Sequence, residues 1–93
     1  MNIKNILKEK YGYSAQEAEL LASDLSVLDH QLTPIFKQWI ETGKEESSQE
    51  FSSYSIDSLR LDYGMNFFAA ITTLDWIVKD SEHALPALKQ GMM

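Results

Sequence analysis

At 93 residues and 10.6 kDa the chain has the length of one domain spanning 1–93, because polypeptides this short rarely support two separate cores. Apolar types at 44% and charged types at 24% fit a folded globular protein rather than a disordered one. Fourteen acids against eight bases give a net charge of −6, which argues against binding nucleic acid or anionic lipid, and the lack of cysteine excludes disulfides, thiolate zinc sites and a cysteine nucleophile.

Helical periodicity with start and stop signals runs through the whole chain, and no segment alternates like a strand. Ile3, Ile6, Leu7 and Tyr11 share one face of a first helix, and Gly12 supplies its left-handed stop. Ser14 opens a second helix through the capping box Ser14-x-x-Glu17, with Tyr13 and Ala18 placed as the hydrophobic staple. Its buried stripe is Ala18, Leu21, Ala22, Leu25 and Leu28, and Leu20 and Val27 lie opposite. Leu32, Ile35, Phe36, Trp39 and Ile40 form the stripe of a third helix ended by Gly43. Either Asp29 or Thr33 caps that helix, the second choice placing Pro34 at its favoured first position.

Residues 43–54 are rich in Ser and Glu, lack periodicity and read as a mobile loop tethered by Phe51 or Tyr54. Ser55 caps a short fourth helix carrying Ile56, Leu59 and Tyr63, which Gly64 ends. Asn66 caps a fifth, about 67–79, which buries Phe67, Ala70, Ile71, Leu74, Ile77 and Val78. Thr72, Asp75 and Lys79 mark its other side, flanked by Phe68 and Trp76. A helix this apolar around most of its circumference belongs at the centre of the fold. Asp80 or Ser81 starts a sixth helix that ends near Gly91. The expectation is an all-α bundle of five or six short helices.

An offset of 52 residues aligns Leu7 with Leu59, Tyr11-Gly12 with Tyr63-Gly64, Ala18 with Ala70, Pro34 with Pro86 and Lys37-Gln38 with Lys89-Gln90. The caps Ser14 and Asn66 align as well. Two helix-stop-helix-helix units and convergent use of the same caps both account for the pattern.

Residues 2–42 resemble a ubiquitin-associated (UBA-like) three-helix module. The likeness lies in the turn Tyr11-Gly12-Tyr13, the helix opening Ser14-Ala15-Gln16-Glu17-Ala18, and Phe36-Lys37-Gln38-Trp39-Ile40 on the third helix. In that family the turn reads Met-Gly-Phe or Met-Gly-Tyr and joins the end of helix three in the ubiquitin-binding patch; here Tyr11 stands in place of the Met. The whole chain is also similar to small uncharacterised helical proteins of Gram-positive bacteria. That second resemblance implies a bacterial protein for which only the fold analogy holds.

The glycines all fall at helix stops, and neither a Walker pattern, G-x-G-x-x-G nor G-x-S-x-G is present. Asp29-His30 and Glu82-His83 could converge on a metal if their helices packed side by side, but as first-turn residues they read more simply as dipole-favoured surface pairs. Asp75 is the one acid set in a strongly apolar stretch, and an Asp75–Lys79 (i,i+4) pair accounts for it. A helix-turn-helix reading fails on charge, since the second helix carries Glu17, Glu19 and Asp24 and no base.

The reading therefore assigns no catalytic residue, cofactor or metal, and expects a non-enzymatic protein-interaction module or regulator. Its candidate surface is Tyr11, Tyr13, Leu20, Val27, Phe68 and Trp76, which would meet another protein or a second copy of this chain. The alternative is an acidic inhibitor, an immunity protein or nucleic-acid mimic, presenting Glu41, Glu45, Glu46 and Glu50 to a basic partner. Met1-Asn2-Ile3-Lys4-Asn5 is too polar for a signal peptide, and Met65–Val78 falls short of the roughly 20 apolar residues of a membrane span, so a cytoplasmic location is expected.

Overall fold

The computed structural model describes residues 3–90 and forms an all-α bundle of six helices. These are α1 (Ile3–Tyr11), α2 (Ala15–Ser26), α3 (Thr33–Thr42), α4 (Ile56–Tyr63), α5 (Phe67–Lys79) and α6 (Ser81–Lys89). Gly91, read as the stop of the sixth helix, lies outside the described residues. Among those residues the one extended pairing is an isolated bridge between Phe51 and Tyr54.

The helix boundaries follow from local chemistry. Gly12 and Gly64 stop α1 and α4 at φ of 73° and 69°, a region costly for any residue with a Cβ. The chain then turns identically at both places: the Tyr13 N–H reaches back to the Leu7 carbonyl and the Met65 N–H to the Leu59 carbonyl. Ser14 accepts from the Glu17 N–H at 3.1 Å, and Asn66 accepts from the Ala69 N–H at 2.8 Å. The capping box of α2 is complete, with the Ser14 N–H donating to the Glu17 carboxylate.

These equivalences sit at the 52-residue offset seen in the sequence, and burial follows it too. Leu7 and Leu59, Ala18 and Ala70, Leu25 and Ile77, Leu32 and Ala84, and Phe36 and Leu88 are all buried. The correspondence breaks in the third helix of each half. A six-residue connection, 27–32, leads from α2 to α3, whereas Asp80 alone joins α5 to α6. Pro34 is consequently in the first turn of α3, while Pro86 lies inside α6, where it removes one backbone hydrogen bond.

Helix α5 is central, as its pattern predicts. It packs against α4, α6 and α2, and buries Phe67, Ala70, Ile71, Leu74 and Ile77. It also buries Phe68 and Thr73, which the sequence pattern did not place in the core. Trp39 of α3 stacks on Phe67 and meets Phe68 edge-on, so α3 joins the core through its aromatic side chains.

The start of α3 satisfies neither sequence expectation. Leu32 is the N-cap and gives no side-chain hydrogen bond. Asp29 instead folds the connection, accepting the Gln31 N–H on Oδ2 at 3.0 Å while its carbonyl accepts from the Thr33 hydroxyl. The segment 43–54 is fastened by several contacts. Phe51 is buried and closes a tight turn with Tyr54 through Ser52 and Ser53, both at positive φ. Ser47 and Asp57 exchange hydrogen bonds, and Arg60 donates to the Glu45 carbonyl.

Candidate functional site

Helices α2 and α5 lie side by side and parallel. At their starts Asn66 Nδ2 donates to the Tyr13 hydroxyl, and at their ends Lys79 Nζ donates to the Val27 carbonyl. Parallel helix dipoles repel, and the second contact offsets this by placing an ammonium at both C-termini. Asp75 completes the clasp. Its Oδ2 pairs with Lys79 at 3.0 Å, and its Oδ1 accepts the Asp29 N–H at 2.8 Å, pinning the exit from α2 to α5. The expected Asp75–Lys79 pair is present, and both carboxylate oxygens are engaged by it and by the Asp29 amide.

The six candidate surface residues divide into two groups. Tyr11, Tyr13 and Phe68 belong to one aromatic cluster. Phe68 is 1% exposed, so its expected place on an accessible surface is corrected: it meets Tyr11 and Trp39 edge-on at ring-centroid distances of 4.9 and 5.1 Å, and Tyr13 covers it further out. Tyr11 keeps an exposed edge, but its hydroxyl accepts the Trp39 indole N–H at 3.1 Å and donates toward Glu45 at 3.4 Å. Both tyrosines thus tie elements together.

Leu20, Val27 and Trp76 form the second group and face solvent, at 67%, 61% and 40% exposure. Ala18 and Leu25 on the opposite side of α2 are buried. Beside Leu20 a shallow groove of about 340 Å³ runs between the two helices, walled by Tyr13, Glu17, Leu20, Leu21, Asn66 and Ala69. At about 3.6 residues per turn, Val27 stands two turns beyond Leu20, and Trp76 two turns beyond Ala69. Because the helices are parallel, these residues extend one seam. We refer to it as the α2–α5 furrow.

One further exposed apolar residue was not singled out from the sequence. Leu61, 84% exposed, stands on α4 beside a groove shared with Glu46, Asp57, Arg60 and Met65. Its angle of about 160° from Leu59–Tyr63 on the helical wheel is the signal that identifies it.

The acids and histidines are distributed among structural contacts. His83 Nδ1 lies 2.9 Å from the Asp80 carboxylate, the cap three residues earlier, rather than pairing with Glu82. His30 is exposed and 3.5 Å from Asp29. Among the described residues there is no group of three or more His, Asp or Glu side chains that could hold a metal ion. The Gln31 hydrogen bond holds the Asp29 carboxyl below its ordinary value, partly opposed by burial and reinforced by His30. Hydrogen bonding with Tyr54 raises the Tyr63 phenol. Among the described residues no buried side-chain nitrogen or oxygen lacks a partner, and no helix is long and apolar enough to cross a membrane. No family model, curated protein sequence or solved structure matches this chain.

Proposed function

We propose that this chain is a non-enzymatic protein-interaction module of the cytoplasm, acting as a regulator through the α2–α5 furrow. The observation that carries the reading is the exposure of Leu20, Val27 and Trp76 along one seam while the apolar residues behind them are packed. Three large apolar side chains kept in water on parallel, mutually clasped helices give a rigid surface that loses little freedom when a partner binds.

The test is affinity capture from the source cell with the native protein and a Leu20→Ser/Val27→Ser/Trp76→Ser variant. These positions are exposed, so the variant should keep its helical circular dichroism and lose the retained partner. An unchanged set of retained proteins would contradict the proposal. Loss on changing Glu41, Glu45, Glu46 and Glu50 to Gln instead would move the surface to the acidic loop.

A further inference from the structure

We propose that the occupant of the α2–α5 furrow is an amphipathic helix whose apolar stripe is flanked by lysine and arginine. This rests on the docking reading above and adds the chemistry of the partner. The furrow combines the apolar side chains of Leu20, Leu21 and Ala69 with Glu17 and Asn66 in its wall, and its α2 side is acidic. On the α2 side, Leu20 and Val27 form a ridge about 10.5 Å long. At about 100° per residue, Glu17 and Asp24 fall on one side of that ridge and Glu19 on the other. All three are exposed, and α2 has no base. On the α5 side the single base, Lys79, is already held by Asp75 and the Val27 carbonyl. The furrow thus offers apolar area with a net negative charge on its α2 side, where Glu17, Glu19 and Asp24 stand on a helix without a base.

That combination selects among occupants. Phosphate backbones and anionic lipid would be repelled by Glu17, Glu19 and Asp24. A second copy would bring the same acids against themselves, at a cost in like-charge contact. An extended strand needs an unpaired sheet edge, and both walls are helices whose backbone groups are bonded internally. A helix with apolar anchors at i and i+7 matches the two-turn spacing of Leu20 with Val27 and of Ala69 with Trp76. Basic residues along the border of its stripe that faces α2 would reach Glu17 and Asp24 on the furrow side of the ridge and, over the ridge, Glu19.

The experiment is selection from a displayed random library of helical peptides of about four turns. The bait is the full native chain, with counter-selection on Leu20→Ser/Trp76→Ser. The proposal predicts winners with Lys or Arg flanking an i, i+3/i+4, i+7 apolar stripe. Their affinity should fall about tenfold between low and high salt. A Glu19→Lys/Asp24→Lys variant should lose such a peptide and bind its Glu-flanked counterpart instead. Winners that need Leu20 and Trp76 but carry no basic excess, or ignore salt and charge reversal, overturn the basic partner while leaving the docking surface standing. Failure to enrich any peptide that depends on Leu20 and Trp76 overturns both. A dimer in sedimentation that Trp76→Ser dissociates assigns the furrow to self-association and overturns the proposal as well.

Discussion

The clasp at Asp75 gives the sharpest stability prediction. Replacing Asp75 with Ala removes the carboxylate acceptor of the Asp29 N–H and the partner of Lys79. A hydrogen bond to a charged, mostly buried acceptor contributes about 1.5–3 kcal/mol. The ion pair adds only about 0.3–0.5 kcal/mol, because Lys79 is 43% exposed and screened by solvent. The expected loss is therefore about 2–3.5 kcal/mol, or a fall in Tm of about 8–28 °C for a domain of this size. Asp75→Asn keeps an oxygen for the Asp29 amide and should cost only about 1 kcal/mol. Lys79→Ala, alone and combined with Asp75→Ala, completes a cycle that isolates the ion pair. Urea unfolding followed by circular dichroism reads the native protein and all four variants, and amide exchange at 29–32 should accelerate in Asp75→Ala before global stability is lost. A cost below about 0.5 kcal/mol for Asp75→Ala, or equal costs for Ala and Asn, would refute the assignment of Asp75 as the acceptor that holds the α2 exit.

Ser14→Ala and Asn66→Ala remove equivalent caps and should each cost about 1 kcal/mol in urea midpoint analysis; a near-zero cost at one site would break the equivalence of the two helix pairs. Tyr11→Phe leaves the indole N–H of Trp39 without its acceptor and should cost about 1–3 kcal/mol in the same assay, more than loss of an exposed hydroxyl. Asp29 titrates lower in the folded chain than in the unfolded one, so the native state binds fewer protons. Its contribution is present above the ordinary carboxyl value of 3.8 and fades as pH falls below that value. Urea midpoints measured from pH 5 to pH 2.5 should therefore decline more steeply for the native protein than for Asp29→Ala, and identical slopes would contradict the hydrogen-bonded carboxylate (about one site's worth of linkage).

Much of the fold is written in short-range signals. Gly12, Gly43 and Gly64 mark where helices stop, Ser14, Ser55 and Asn66 mark where they start, and the apolar angle of each helix gives its inward face. The solvent-facing placement of Leu20 and Val27 was legible for the same reason, whereas Phe68 and Trp76 flank the polar strip of α5 alike and only the structure separates the buried one from the exposed one. What was not legible depends on partners distant in sequence. Phe68 lies at the margin of the apolar arc of α5, and Tyr11, Tyr13 and Trp39, brought from other helices, cover it. Leu32 caps α3 without a side-chain bond because Asp29 and Asp75 already set the path of the connection. The fastening of 43–54 depends on Asp57 and Arg60 of α4, and no periodicity within the loop announces it. The docking surface shows the same division: α2 reveals its exposed residues, but only the parallel pairing of α2 with α5 makes them and Trp76 one furrow.

The two tryptophans provide the most direct test of that furrow. Trp39 is buried with its indole N–H bonded to Tyr11, and Trp76 stands in the seam, so the two indole signals in a ¹H–¹⁵N spectrum report core and surface separately. On titration with a bound partner or selected peptide, the Trp76 indole and the Leu20 and Val27 amides should shift together while the Trp39 indole stays in place. A footprint centred on Leu61 and Met65, with the Trp76 signal unmoved, would contradict the account.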